Sequence, residues 1–162
     1  MPVATVSLSA LLHNVQVLRS RLGPDTGILA PVKANAYGHG AVGVARHLER
    51  LGVRWFGVAT PQEALELRAG GVTGDILLFI PVYEGLGELL EHNVTLTVAD
   101  ARSAEAVVRT GQRASVHLKV DTGMGRLGEG AAGTLRTAQT LDRAPNVHLE
   151  GLWTHFACAD EP

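Results

Sequence analysis

Residues 30–40 read Ala-Pro-Val-Lys-Ala-Asn-Ala-Tyr-Gly-His-Gly, and the rest of the chain is organised around them. The apolar run from Ile28 to Val32 is bounded by turn residues, which is the pattern of a buried strand. Lys33 stands at the carboxyl end of this run. A lysine there either extends its amine to solvent or sits in a low-dielectric pocket, where its pKa falls and the neutral amine becomes nucleophilic.

Lysine is scarce in this chain. Of its 14 basic residues two are lysines, Lys33 and Lys119, and the other twelve are arginines. A primary amine forms Schiff bases and carbamates, whereas a guanidinium stays protonated and does neither readily. The two lysines therefore stand where an amine is needed, unless the arginine bias reflects genome composition alone. The count leaves both interpretations open.

The bulk composition excludes several classes of protein. With 162 residues and 46% hydrophobic content the chain can form one modest core. The formal net charge is −2 and the basic residues are scattered, so no nucleic-acid partner is predicted. The seven histidines show no metal-ligand spacing, so no metal site is predicted.

No membrane association and no export are predicted either. The amino terminus lacks the charged and apolar regions of a signal peptide. The longest apolar stretch, residues 76–82, contains Pro81 and is too short to span a bilayer. Cys158 is the only cysteine, which rules out an internal disulfide framework and suits a reducing compartment. We therefore expect a soluble, cytoplasmic protein.

Strand and helix patterns alternate along the chain. After a lead-in strand over 3–8 and a helix from an N-cap at Ser9 to Leu22, apolar runs predict strands over residues 27–32, 55–59, 75–80, 94–98, 115–120 and 147–154. Helices are predicted between them, over residues 41–51, 61–69, 84–91, 101–109 and 129–141. The second of these begins with a capping box at Thr60 and Glu63. Such alternation predicts parallel βαβ units.

Two α/β architectures fit this alternation, a doubly wound open sheet and a (β/α)8 barrel. Gly38-His39-Gly40 lacks the third glycine of a dinucleotide-binding fingerprint. Lys33, Arg126 and His155 all follow carboxyl ends of predicted strands, which surround one mouth in a closed barrel. We therefore predict a (β/α)8 TIM-barrel-type fold. About six strands are present, and since eight need roughly 250 residues, the barrel is expected to be incomplete.

Three stretches resemble the signatures of alanine racemases, which are pyridoxal-phosphate enzymes built on a (β/α)8 barrel. They are residues 32–40, 119–128 and 151–157, in the family's order. The resemblance implies that residues 1–162 are the N-terminal portion of such a barrel, with the C-terminal β domain absent. It also implies pyridoxal 5'-phosphate as cofactor, alanine as substrate, and a homodimer for the full-length enzyme. The implied reaction interconverts L-alanine and D-alanine through a cofactor aldimine, supplying D-alanine for peptidoglycan.

The resemblance also assigns roles to particular side chains. Lys33 is implied as the catalytic lysine that forms the Schiff base with the cofactor and moves the substrate Cα proton. Tyr37 is implied to contact the cofactor phosphate, although an exposed aromatic at that position also fits a purely structural role. Asn35 and His39 are expected to shape the loop or to support the residues around the cofactor, rather than to act as catalysts.

The second and third signatures carry the remaining assignments. Arg126 is implied to bind the cofactor's phenolic oxygen and the substrate carboxylate, which a guanidinium fork suits. Lys119 matches a lysine that is carbamylated in some racemases, and the alternative is a surface pair of Lys119 with Asp121 or with a glutamate. His155 is implied to form a hydrogen bond near the cofactor ring, and the alternative is a core histidine.

Three other functions stay open. A serine or broad-specificity racemase shares the lysine motif. A cofactor-binding barrel without racemase activity, such as the pyridoxal-phosphate homeostasis proteins, lacks the signature at 121–128, which favours the racemase. The third alternative is an inactive fragment: the family's second base is a tyrosine of the partner subunit, expected beyond Pro162, so this chain is expected to lack it.

Overall fold

Helices and strands alternate in the computed structural model, which describes residues 5–159. The strands are β1 (Leu29–Pro31), β2 (Trp55–Val58), β3 (Asp75–Leu78), β4 (Val94–Val98), β5 (Ala114–Lys119) and β6 (Val147–Trp153). The helices are α1 (Leu8–Arg19), α2 (Lys33–Gly38), α3 (Ala41–Arg50), α4 (Pro61–Ala69), α5 (Leu86–Glu91), α6 (Ala101–Arg109) and α7 (Ala131–Asp142). All six strands predicted from residue 27 onward are confirmed, and each begins and ends within about two residues of the predicted range.

The strands form one six-stranded sheet in sequence order, β1-β2-β3-β4-β5-β6. The pairs β1–β2, β4–β5 and β5–β6 are parallel, with an irregularity in register at Val116 and His117. A doubly wound sheet reverses its strand order at a switch point, whereas a barrel adds each strand beside the previous one. The sequential order therefore confirms the barrel-type α/β fold, with six of its eight strands, and the doubly wound alternative is wrong.

The chain divides into two compact units, Met1–Ile76 and Leu77–Pro162. The first contains α1 to α4 with β1 and β2. Its core consists of side chains with no exposed surface, which are Ala45, Phe56, Val58, Ala64, Leu67 and Ile76. The predicted capping box is confirmed, since Thr60 Oγ1 accepts from the Glu63 amide while the Glu63 carboxylate accepts from the Thr60 amide.

The lead-in segment differs from the prediction. Of the expected strand over 3–8, residues 3 and 4 lie outside the described residues, residues 5–7 have no regular structure, and Leu8 is already helical. The N-cap of α1 is Ser7, not Ser9, because Ser7 Oγ accepts from the Ala10 amide at 3.2 Å. The helix ends at Arg19 rather than Leu22. Two serines two residues apart offered the same capping chemistry, so the pattern alone did not choose between them.

The second unit contains β4 to β6 with α5 to α7. All five residues of β4 are buried, and on β5 Val116 and Leu118 are buried on the face that packs against helices. Successive strand residues point to opposite faces, so His117 and Lys119 share the other face. Asp100 and Ser103 form a capping box at the start of α6. Within residues 5–159 no helix is long and apolar enough to cross a membrane.

Candidate active site

Lys33 lies directly after the first strand of the sheet. The Val32 amide donates to the Gly57 carbonyl at 2.8 Å, which continues the β1–β2 ladder one residue beyond Pro31. Val32 is 2% exposed, while Lys33 is half-exposed. The predicted position of the lysine at a strand end is therefore confirmed, with its backbone fixed by the sheet and its side chain reachable from solvent.

The backbone after Lys33 forms a left-handed turn. Residues 34–37 have φ between 51° and 54° and ψ between 38° and 48°, although none of them is glycine. A left-handed helical conformation costs an L-residue roughly 1–2 kcal/mol, and non-glycine residues adopt it singly rather than in runs. Four strained residues in succession are therefore maintained by their surroundings, and such strain is concentrated at functional sites. The sequence pattern predicted a loop here but not this left-handed turn.

Side chains from both sides hold this left-handed turn. The Ala34 amide donates to Glu63 Oε1 at 2.6 Å. At the other end the Ala41 amide, the first of α3, donates to Asn35 Oδ1 at 2.8 Å, and the Gly40 amide donates to the Asn35 carbonyl at 3.0 Å. The Ala41 amide is therefore already used within the protein. Asn35 shapes the loop, as the sequence analysis expected, whereas the contact from Glu63 was not foreseen.

Tyr37 and His39 differ in their surroundings. The Tyr37 side chain belongs to the left-handed turn and is 61% exposed, so its phenol is available to a ligand. The Nδ1 atom of His39 lies 2.9 Å from the Ala36 carbonyl, which ties the imidazole to the turn. This contact favours the loop-shaping role predicted for His39.

Lys119 is the last residue of β5 and is only 3% exposed. Its Nζ donates to the Val120 carbonyl at 3.1 Å and lies 4.7 Å from the centroid of the Trp153 ring. Burial lowers the pKa of this amine; the Asp121 carboxylate opposes the effect, and the Arg126 guanidinium adds to it. Lys119 is therefore a buried strand-end lysine within the field of Arg126, and not half of a surface pair.

The loop after β5 folds back onto the end of that strand. The Asp121 carboxylate accepts from the Gly123 amide at 2.9 Å and from the Gly125 amide at 3.1 Å, and these amides hold the pKa of Asp121 below its ordinary value. Gly128 has φ of 102°, and a Cβ there would lie 2.9 Å from the Lys119 carbonyl oxygen, so the position requires glycine. This fold leaves Arg126 exposed at the strand end.

The end of β6 is tied to the end of β5. Thr154 Oγ1 donates to the Val120 carbonyl at 2.8 Å and lies 2.7 Å from Thr122 Oγ1. His155 follows directly and is exposed. The core alternative for His155 is therefore wrong. Because β6 ends at Trp153, the imidazole lies in the loop beyond the sheet.

Polar side chains line the face of the sheet that carries Lys119. His117 Nε2 lies 3.7 Å from Glu150 Oε2; burial lowers the pKa of His117, and Glu150 opposes this. Among the described residues, the buried atoms Thr97 Oγ1 and Trp153 Nε1 have no hydrogen-bond partner. Trp153 is paired in register with Lys119, and Thr97 with His117. Two donors without partners on this face are consistent with a site that binds a further polar group. The alternation of polar and apolar residues along β5 was the only sequence signal for it.

Strands in barrel order, with a lysine, an arginine loop and a histidine at strand ends, define a class of protein. It is an α/β barrel, a fold in which active sites lie at the carboxyl ends of the strands, where these three side chains stand. The chain belongs to the alanine racemase N-terminal domain family, since the family described as "Alanine racemase, N-terminal domain" matches residues 6–162.

Individual proteins agree with this assignment. The alanine racemase of Desulforamulus reducens is 45% identical over 168 residues, covering 98% of this chain and 44% of that protein. The crystal structure of alanine racemase from E. faecalis superimposes with a TM-score of 0.91 at 37% identity, over 96% of this chain and 44% of that one. Histidine racemase from Leuconostoc mesenteroides gives a TM-score of 0.87 at 32% identity, over 96% and 43%. The chain therefore spans less than half the length of these proteins.

Proposed function

We propose that this chain supplies the lysine-bearing part of a pyridoxal-phosphate-dependent racemase that interconverts L-alanine and D-alanine. The observation that carries the proposal is the strained turn at residues 34–37, which fixes the backbone directly after Lys33 at a strand end. Such strain is retained where a neighbouring group must be positioned. Similarity to alanine racemases over nearly the whole chain supports the same assignment.

The chemistry of the donor groups fits pyridoxal phosphate. The half-exposed amine of Lys33 suits the aldehyde, and the exposed phenol of Tyr37 suits the phosphate. The exposed guanidinium of Arg126 suits the phenolic oxygen, and the imidazole of His155 is a second donor for the ring. These residues would hold the cofactor. When bound, it supplies an electron sink that acidifies the substrate Cα–H bond.

Two side chains then act on the substrate. The Lys33 Nζ takes or returns the proton on one face of the substrate Cα, a form of general-base catalysis worth roughly 10²–10⁴-fold. Inversion needs a second base on the opposite face, which we propose is a tyrosine of the partner subunit. Arg126 binds the substrate carboxylate through two parallel N–H donors, which fixes the orientation of the Cα–H bond toward the lysine. Removal of the Arg126 guanidinium should therefore weaken substrate binding as well as turnover.

Lys119 is proposed to carry a carbamate. Reaction with carbon dioxide needs the neutral amine: a bond forms between Nζ and the carbon, one C=O π bond opens onto its oxygen, and one proton passes from the nitrogen to solvent. Burial and the Arg126 charge both lower the pKa of Lys119 and so favour that neutral form. The product is an anion, which would replace repulsion between Lys119 and Arg126 by attraction and hold the guanidinium in place.

The substrate side chain and the assembly also belong to the proposal. Alanine is favoured because the similar proteins of known name include many alanine racemases. A racemase for an amino acid other than alanine, such as serine, is the second candidate. The similar Leuconostoc protein is a histidine racemase, so this fold also occurs in a racemase that acts on another amino acid. We further propose a homodimeric, cytoplasmic enzyme whose D-alanine serves peptidoglycan synthesis.

The test follows the Cα hydrogen and the chirality of the substrate together, with the cofactor added. Each enantiomer of alanine, serine and histidine is incubated in heavy water with the protein and with a Lys33→Ala variant. The proposal predicts that deuterium enters alanine faster than serine or histidine, that inversion lags behind deuterium uptake because Lys33 serves one face of the Cα, and that the variant shows neither. Faster uptake by another amino acid, inversion that keeps pace with uptake, or undiminished uptake by Lys33→Ala would contradict it.

A further inference from the structure

We infer that Glu63 is a positioning residue for Lys33, acting through the left-handed turn that follows the lysine. The inference rests on the proposed function, because it concerns the amine that would hold the cofactor. Glu63 lies on α4, 30 positions after Lys33 and outside the motif that contains the lysine. Its carboxylate nevertheless reaches the backbone one residue after Lys33.

The Glu63 carboxylate binds three amides from two different strand ends. Oε1 accepts from the Ala34 amide at 2.6 Å, directly beyond β1. Oε2 accepts from the Ala59 amide at 2.8 Å and from the Thr60 amide at 3.1 Å, both directly beyond β2. A charged acceptor makes stronger hydrogen bonds than a neutral one. Glu63 therefore joins the ends of two adjacent parallel strands where Lys33 leaves the first.

Capping of α4 alone does not require this arrangement. The box at the start of α6 has the same two cap contacts, since Ser103 Oγ accepts from the Ala99 amide at 3.0 Å and from the Asp100 amide at 3.1 Å. A hydroxyl is sufficient there. Glu63 makes the equivalent pair of bonds with one oxygen and uses the other for Ala34. The longer, charged Glu63 side chain thus makes a contact beyond β1, while the neutral cap at Ser103 makes no equivalent contact with a second strand end among the described residues.

The contact matters because Ala34 begins the strained part of the backbone. Four non-glycine residues with positive φ need compensating contacts, and the Ala34 amide is the first donor inside that run. Without this acceptor, the contact that stabilises positive φ at Ala34 is lost. A right-handed or extended conformation then becomes more favourable there. The direction of the Lys33 side chain would change with it. Glu63 accordingly fixes the approach of the amine.

The experiment compares Glu63→Ala and Glu63→Gln with the control Ser103→Ala. The glutamine variant keeps the side-chain volume but replaces one acceptor by an N–H donor, so it cannot serve all three amides. Hydrogen exchange of the Ala34 amide reports the contact directly, without cofactor. The rate at which pyridoxal phosphate labels Lys33, trapped with borohydride, reports its consequence. Global stability is measured by urea unfolding.

Glu63→Ala should lower the protection of the Ala34 amide about ten- to hundredfold, since a hydrogen bond to a charged group is lost. Glu63→Gln should lower it less, because one neutral carbonyl oxygen remains as an acceptor. Both variants should also slow labelling of Lys33. Ser103→Ala should lower stability while leaving Ala34 protection and Lys33 labelling unchanged. Normal Ala34 protection in both Glu63 variants, or equal slowing of labelling by Ser103→Ala, would overturn the inference. Absence of any label on the unmodified protein would instead refute the proposed function, and the exchange measurement would still decide the role of Glu63.

Discussion

The left-handed turn predicts that one substitution has opposite effects at two places in the chain. Replacing Ala34, inside the turn, by glycine should stabilise the protein or leave its stability unchanged. Replacing Ala138, in the middle of α7, by glycine should destabilise it. Ala34 is exposed and Ala138 half-exposed, so little packing is lost in either variant. The difference between them therefore reports backbone conformation.

The magnitudes follow from the two backbone conformations. At Ala34, with φ of 51° and ψ of 48°, glycine removes a cost of roughly 1–2 kcal/mol for left-handed alanine. It adds about 0.5–1 kcal/mol because glycine loses more conformational entropy on folding. The net change is about 0.5 kcal/mol in favour of the folded state. At Ala138 the helix propensity of glycine costs about 1 kcal/mol, so the two variants should differ by about 1.5 kcal/mol.

Urea unfolding measures both variants against the unmodified chain, with the slope against urea expected to stay constant. The Ala34 amide still reaches Glu63 after the substitution, because the backbone contact does not depend on the methyl group. A loss of about 1 kcal/mol in Ala34→Gly, equal to the loss in Ala138→Gly, would refute the reasoning. It would mean that residues 34–37 are not left-handed in the folded protein.

Three further predictions concern the titration of His117, the packing of Leu67 in the core and a carbamate on Lys119. Because burial lowers the pKa of His117, the unfolded chain binds a proton that the folded chain does not. Stability should therefore fall as pH drops below about 6.5, and His117→Gln should reduce that slope. Leu67→Ala should cost about 2–5 kcal/mol because Leu67 is fully buried, against less than ~0.5 kcal/mol for the exposed Leu135→Ala in the same unfolding assay. Labelled bicarbonate should give a carbamate signal that disappears in Lys119→Arg, and an unchanged signal in that variant would place the carbamate elsewhere.

The sequence predicted the regular elements well because each has a local cause. The helix over 101–109 begins after its cap at Asp100, and α4 begins after Thr60 with Pro61 at its first position. Local sequence is therefore sufficient to mark where these helices begin. The strand at 94–98 was predicted from a short run of β-branched and apolar residues. The lysine at the end of β1 and the arginine loop after β5 followed from the same local patterns.

The parts that were missed depend on contacts distant in sequence. No local propensity predicts that Ala34 adopts positive φ, because alanine favours right-handed helices. That conformation depends on Glu63, whose carboxylate comes from another helix. The packing of Lys119 on Trp153 depends in the same way on the register between β5 and β6. The start of α1 was misplaced for a smaller reason, since Ser7 and Ser9 are both good caps.

The most direct test of the central claim is to locate the cofactor on the chain. Protein incubated with pyridoxal phosphate is reduced with borohydride, and peptide mapping identifies the labelled residue. The assignment is clear because the chain contains two lysines, Lys33 and Lys119. The account predicts a visible imine absorbance, a label on Lys33, and loss of both in Lys33→Ala. A label on Lys119, or an imine absorbance that persists in Lys33→Ala, would contradict it.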